Sequence, residues 1–536
     1  MVSGCIFWSF FLTRLLSAFF VHITDCDETY NYWEPVHYLL YGKGFQTWEY
    51  SPHFGLRSYL YLLLHAVPAW IIKEITGFNA TSLFYCIRVM LAAVCAVAET
   101  AMYRSIEIWY EARVARMWLI FQLFSPGMFI SSAAFLPSSF SMYFTMIFFS
   151  TWLCKKFKMA TLSVAVSSLL GWPFAALISL PFLYSTIIRD RLLKIFLKWS
   201  FLSGIFVGIP LIAVDSYFYG KWTIAPVNIV LYNVFTMHGP NIFGIEPPSF
   251  YFFNLLLNFN VVWSLVICYP LVLLVCIIQS NFQRKMRKTT MDSYFWKMLP
   301  AYIWMLVFFI QPHKEERFLF PIYPLLTLCA VLCIENIKRI WNCIFNGERD
   351  IFQKILLNGT IVIFLLLSLS RIFALYIHYQ APMKISMVLG EAVSEKNVCI
   401  AKEWHRIPGN FFMPKNHHLR FVRSSFNGIL PAYFDETKKG TALVHNYFND
   451  MNLPSDYMLF NLTECDFLID SDFGEKYRIH DIEQNYSKDK STWEIIKSMP
   501  FLDSKVSSSF FRAFYVPLIS TKYTKFGNFN LLKRKK

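Results

Sequence analysis

The sequence predicts an α-helical polytopic membrane protein that carries a C-terminal α/β domain. Apolar runs of about twenty residues recur through the first two-thirds of the chain, the length that a bilayer core asks of a helix. Of the 536 residues, 56% are hydrophobic and only 16% are charged, against roughly a quarter charged in ordinary soluble domains. Past residue 377 the composition changes to mixed charge with short alternating runs and turn residues between them. The net charge of +15 is spread over short loops, which reads as a topology signal and excludes a nucleic-acid footprint. The twelve cysteines show no metal-ligand spacing, and no internal repeat is present.

The first apolar run, 6–23, lacks a basic leader and a small-residue cleavage site and contains Arg14, so it is expected to be a retained helix. The next, 56–75, holds His65 and Pro68 between Arg57 and Lys73; it either spans the membrane or lies along its surface. Further runs fall near 83–103, 116–134, 138–154, 158–171, 173–188, 195–214, 251–279, 295–310, 318–337 and 354–376. Pro173 removes a backbone donor and is expected to break the chain at Gly171-Trp172-Pro173.

Charge threads these runs. The basic groups around Arg104, Arg113 and Arg116, Lys155 and Lys156, Arg189 and Arg191, Arg284 to Lys288, and Lys338 and Arg339 fall on one side if 56–75 does not cross and the run 159–188 breaks into two helices at Gly171-Trp172-Pro173. That gives about eleven spans with a cytosolic N-terminus and the C-terminus on the opposite face. Residues 1–376 are then a transmembrane bundle with a non-cytosolic loop at 22–82, and 377–536 form a small α/β domain on that same face. The loop 215–249 shares it, as does Gln311-Pro312-His313-Lys314-Glu315-Glu316-Arg317-Phe318. Sequons stand at Asn79, Asn358, Asn461 and Asn485, with Asn358 inside an apolar run. Cys399 and Cys465 lie where a disulfide can form, and spacing alone leaves their pairing open. The terminal Lys533-Arg534-Lys535-Lys536 reads as a solvated basic tail.

Chemistry concentrates in Asp25-Cys26-Asp27-Glu28-Thr29-Tyr30-Asn31-Tyr32-Trp33-Glu34-Pro35. Carboxylates at the mouth of a membrane segment are costly to desolvate, and four among aromatics point to a polar site. A carboxylate can take the proton of an attacking hydroxyl. His313, Lys314 and Arg317, basic groups on the face that usually lacks them, can hold an anion such as a phosphate leaving group; the alternative is a cluster self-neutralised by Glu315 and Glu316. Together they suggest group transfer from a lipid phosphate to a hydroxyl. Trp33, Trp48, Trp222 and Trp404 are rings that can flank a sugar.

The acidic stretch, then Tyr41-Gly42-Lys43-Gly44-Phe45-Gln46-Thr47-Trp48-Glu49-Tyr50-Ser51-Pro52 and Arg57-Ser58-Tyr59, closely resembles glycosyltransferase family 22. Gly171-Trp172-Pro173-Phe174 and His313-Lys314-Glu315-Glu316-Arg317-Phe318 match its other signatures. Lys402-Glu403-Trp404-His405-Arg406 and Ser425-Phe426-Asn427-Gly428-Ile429-Leu430-Pro431 look like the branch that adds α-1,2-linked mannose to the lipid-linked oligosaccharide precursor of asparagine-linked glycosylation. The resemblance implies a GT-C fold in the endoplasmic reticulum membrane, with catalytic loop and C-terminal domain lumenal. It implies dolichyl-phosphate-mannose as donor, a lipid-linked oligosaccharide as acceptor, contact with membrane lipid and no nucleic acid. A β-linked donor and an α-linked product mean inversion, hence one base and one displacement. A single phosphate needs no divalent metal to neutralise it, so no cofactor is expected. Asp27 falls where the family's Asp-Glu pair lies and is expected to be the base, with Glu28 beside it; Asp25, Glu28 and Glu34 crowd it with like charge. Trp33, Glu34, Glu49, Arg57, His313, Lys314 and Arg317 are the expected substrate contacts. The rival within the family is a sister enzyme making an α-1,6 linkage or acting on a glycolipid anchor. A transporter is the rival outside it, but the chain shows no pair of hydropathy-matched halves.

Overall fold

The structure is a computed structural model that describes residues 2–236, 239–283, 294–345, 350–437, 439–474 and 484–535. The basic loop 284–288 lies outside the described residues. Among the described residues, five helices are long and apolar enough to cross a membrane: Ala80–Trp109, Leu193–Tyr219, Val261–Gln279, Glu316–Ile344 and Gln353–Tyr379. Six shorter apolar helical segments of 10–17 residues accompany them. This is a multi-pass membrane protein.

The chain divides into two compact units. The first comprises Met1–Phe19, Val89–Pro210 and Asn233–Ile372. Its interior holds a fully buried ion pair. Arg14 donates to both oxygens of Glu99, at 3.0 and 2.5 Å, and to the Gln122 carbonyl at 2.8 Å. Gln122 in turn bonds Glu99 at 3.0 Å and receives the Thr327 hydroxyl at 2.9 Å. A charge in hydrocarbon is tolerated when paired and hydrogen-bonded, and the network of Arg14, Glu99, Gln122 and Thr327 joins the first helix to three others. Its place in the first apolar run signalled only an interruption.

The expected break at Gly171-Trp172-Pro173 is present: a π turn, Ser167–Gly171, ends there and a 3-10 segment, Pro173–Ser179, begins. Freed from the helix, Trp172 stacks on Phe318 at 5.1 Å and meets Trp304 edge-on at 5.6 Å. Two expected single runs divide as well. The run 116–134 breaks at Ser125-Pro126, and 251–279 breaks at Asn260, whose φ of 39° no helix accommodates.

The second unit comprises Phe20–Arg88, Leu211–Tyr232 and Phe373–Lys536. Its strands are β1 (Phe45–Gln46), β2 (Lys396–Ile400), β3 (His417–Phe421), β4 (Ala432–Tyr433), β5 (Phe467–Asp472), β6 (Trp493–Leu502) and β7 (Phe526–Arg534). Five form a sheet in the order β3-β2-β5-β7-β6, with β2 parallel to β3 and β5, and β7 antiparallel to β5 and β6. Val398, Ile400, Leu419, Phe421, Ile469 and Leu531 face one core, and Cys399, Leu468 and Leu532 face another. The alternation is the strand period of two. The structure joins Cys399 to Cys465, with Cα atoms 5.8 Å apart.

Two expectations are corrected here. The stretch 215–249 is not one loop, since helix Ile209–Tyr219 runs through Asp215 and a second helix covers Ala225–Phe235. The basic C-terminus is not a solvated tail. Residues through Arg534 belong to β7, and Arg534 donates to the Cys465 carbonyl at 2.9 Å with its guanidinium 4.5 Å from the Trp493 ring.

Candidate active site

The acidic stretch folds as a helical turn, Cys26–Glu28, a five-residue π turn, Thr29–Trp33, and a helix, Glu34–Tyr41. A single π turn widens the helix and re-aims its side chains, and such turns concentrate at functional sites. Asp25 opens the element as its N-cap, accepting the Asp27 N–H at 2.9 Å. Pro35 sits in the first turn of the final helix, where its missing N–H costs nothing, and Gly42 ends it at φ 73°.

The acids of the stretch have sorted into different environments. Glu34 is fully buried. It accepts the Phe45 N–H at 2.8 Å, the Asn410 N–H at 2.5 Å and the Asn410 side-chain amide at 2.7 Å. Burial raises its pKa while these donors lower it, and burial prevails. Gly409 lies so close, at φ 86°, that a Cβ there would collide with Glu34 Oε1. Glu34 therefore ties the acidic stretch to β1 and to the loop at 409–410. Glu28 is also buried and accepts the Trp33 indole N–H at 3.0 Å. Trp33 has no exposed face; it packs on Phe84 at 4.2 Å and Phe411 at 5.5 Å. As placed, it holds the turn and offers no ring to a sugar.

Asp27 differs, with a third of its side chain exposed. Besides the like charge of Asp25 within 4.8 Å, it meets a cation: Arg57 Nη2 stands 3.9 Å from Asp27 Oδ2. Arg57 forms a two-pronged pair with Glu49, at 3.0 and 2.8 Å, and donates to the Tyr32 hydroxyl at 2.8 Å. Burial lowers the pKa of this guanidinium, but Glu49, Tyr32 and Asp27 raise it further, so it stays cationic. Asp27, Glu49 and Arg57 are thus brought together across thirty residues of sequence, and Tyr32 joins them unforeseen. Its hydroxyl carried no signal in the sequence beyond lying in the motif.

Asp25, Cys26 and Asp27 present ligand atoms within 4.8 Å of one another, the one such group among the described residues. Carboxylates suit a hard cation, yet acidic turns are common without one, and no step is routed through an ion. Of the other rings, Trp48 is buried against Phe54 and Tyr232, Trp404 is half-buried against Tyr30 and Phe426, and Trp222 is exposed.

The first unit holds the basic motif. His313 Nε2 meets Glu315 Oε1 at 3.0 Å, its Nδ1 meets the Gly244 carbonyl at 2.8 Å, and Arg317 pairs with the other oxygen of Glu315. Burial lowers the His313 pKa, but the Glu315 carboxylate and the Gly244 carbonyl raise it above the usual value. Lys314 is buried and donates to the carbonyls of Glu246, at 2.8 Å, and Gln311. Glu316 accepts from Asn258 at 2.7 Å. Two basic groups therefore converge on one carboxylate, and the third organises backbone.

The Alg9-like mannosyltransferase family matches residues 5–414. The chain is 47% identical to the α-1,2-mannosyltransferase Alg9 of Drosophila melanogaster, over 99% of this chain and 87% of that one. It is 42% identical to α-1,2-mannosyltransferase ALG9 of Homo sapiens, over 98% and 87% of the two chains. Among solved structures it is similar to ArnT from Cupriavidus metallidurans in the apo state, with a TM-score of 0.50 and 13% identity over 77% of this chain and 83% of that one. That likeness speaks for the GT-C fold alone.

Proposed function

The chain belongs to the Alg9-like mannosyltransferase family, and we propose that it transfers mannose from dolichyl-phosphate-mannose to a dolichyl-diphosphate-linked oligosaccharide, forming an α-1,2 linkage with inversion. The setting is the endoplasmic reticulum membrane, with 1–376 as the bundle and the loop 22–82 and the domain 377–536 in the lumen. The relatives' shared activity and near-complete overlap with this chain support the α-1,2 assignment over the sister reactions.

The observation that carries the mechanism is the exposure of Asp27 beside a fixed cation while Glu28 and Glu34 are buried. The acceptor hydroxyl oxygen attacks C1 of the donor mannose, and the bond from C1 to the phosphate oxygen breaks. Asp27 takes the hydroxyl proton, and dolichyl phosphate departs with the bonding pair. General-base assistance of this kind is worth roughly 10²–10⁴-fold. Arg57, clamped by Glu49 and Tyr32, holds the Asp27 carboxylate in place. His313 and Arg317, held on Glu315, are a separate anion-binding candidate, and Lys314 keeps their loop in shape. Acceptor sugars rest against Trp404 and Trp222, the rings with exposed area.

The test is transfer from dolichyl-phosphate-mannose to defined lipid-linked oligosaccharides by the purified protein in lipid nanodiscs. A product whose new mannose is removed by an α-1,2-specific mannosidase is expected. A product resistant to it, or transfer only to a glycolipid anchor, would overturn the assignment.

A further inference from the structure

Helix Tyr59–Thr76 begins two residues after Arg57, and its cap comes from far along the chain. Ser58 occupies the N-cap position in extended conformation but makes no side-chain capping bond. Asp215, from helix Ile209–Tyr219, supplies it. One oxygen, Oδ1, accepts the Ser58 hydroxyl at 2.9 Å, the Tyr59 N–H at 2.8 Å and the Leu60 N–H at 3.3 Å. The residue is fully buried, and its second oxygen has no hydrogen-bond partner. A helix N-terminus leaves several N–H groups without partners and carries partial positive charge, so a buried carboxylate there satisfies both needs.

The same helix grips the chain on the other side of Ser58. Tyr219, four residues after Asp215, donates its hydroxyl to the Arg57 carbonyl at 2.6 Å. Phe218 stacks on Tyr59 at 4.7 Å with an interplanar angle of 13°. Positions i, i+3 and i+4 share one helix face, so Asp215, Phe218 and Tyr219 together fix the backbone from Arg57 to Leu60. The Arg57 side chain leaves that fixed backbone to bind Glu49 and Tyr32 and to stand 3.9 Å from Asp27.

We propose that Asp215 is a positioning residue for the transfer reaction, acting through Ser58 and Tyr59 to hold Arg57 against Asp27. This rests on the reading of the Asp27–Arg57–Glu49 group as the reaction centre. A displacement of about 1 Å at such a centre costs on the order of 10²-fold in rate. All three bonds fall on one oxygen, so an amide oxygen in its place preserves the cap.

The experiment is mannose transfer by Asp215→Ala, Asp215→Asn, Arg57→Met and the Arg57→Met/Asp215→Ala double variant in nanodiscs, each matched for thermal stability and for the Cys399–Cys465 disulfide. Asp215→Ala is expected to lose on the order of 10²-fold in kcat, and Asp215→Asn to recover most of it. The double variant is expected to fall within about threefold of the weaker single one, because groups acting through one another are not additive. Multiplied losses in the double variant, or an Asn variant as damaged as Ala, would overturn the proposal. A separate Asp27→Asn measurement distinguishes the two failures. Full activity there removes the reaction centre, while Asp215–Arg57 coupling is read independently of it.

Discussion

The two charged motifs of this protein solve the same physical problem in opposite ways. In the acidic stretch, Glu34 takes donors from Phe45 and from Asn410 far along the chain, while Glu28 takes the indole of nearby Trp33. Asp25 and Asp27 keep part of their surface in solvent. In the basic motif, two groups share one nearby carboxylate, and carbonyls from the segment 244–246 complete the set. His313 and Arg317 share Glu315, and Lys314 uses carbonyls from its own and one neighbouring segment. The lesson is that charge density marks a motif but not the task of each charge. In the acidic stretch, Glu28 and Glu34 build the scaffold while Asp25 and Asp27 stay partly in solvent. In the basic motif, His313 and Arg317 are held on one carboxylate.

Glu34→Ala breaks the scaffold side of this contrast most severely. It leaves the Phe45 N–H and both Asn410 donors buried without an acceptor, at roughly 1–3 kcal/mol for each. A thermal melt should show the largest loss of any variant here, and Gly409→Ala should imitate it through collision with Glu34 Oε1. Removing the Cys399–Cys465 bridge, which closes a separation of 66 residues, should cost about 4 kcal/mol by the loop-entropy relation. Urea unfolding of the Cys399→Ser/Cys465→Ser protein checks it, with activity of the folded fraction retained. Arg317→Ala should act on rate and leave stability nearly unchanged, lowering kcat roughly 10²–10³-fold as for a lost anion-stabilising donor. If activity is normal with His313, Lys314 and Arg317 all replaced by alanine, the cluster is only self-neutralising. Glu28→Gln should have the smallest effect, below about 1 kcal/mol, because its amide oxygen still accepts the Trp33 N–H. A large loss of transfer in a well-folded Glu28→Gln enzyme would move the chemistry one residue along.

Much of this was legible in the sequence where the cause was local. Pro173 predicted its own break, and period-two runs placed β2, β3 and β5 within a few residues. The acidic motif located the candidate site. What escaped depends on partners distant along the chain. Nothing near Asp215, which opens the loop expected after the apolar run 195–214, announces that it caps a helix more than 150 residues earlier. Trp33 looked like a sugar platform because aromatic composition says nothing about which face is covered. The strand β7 was hidden by its terminal lysines and arginine, whose aliphatic stems and carbonyl partners suit a sheet as well as a tail.

The central claim, that Asp27 accepts the proton while its acidic neighbours hold the scaffold, is tested most directly by separating binding from transfer in Asp27→Asn. Asparagine keeps the size of the side chain and an oxygen toward Arg57 but cannot take the proton. Single-turnover transfer should fall by roughly 10²–10⁴-fold, with donor binding and melting temperature close to those of the unaltered enzyme. Transfer by Asp27→Asn at near the original rate would contradict the account and leave Asp27 as no more than part of a helix cap.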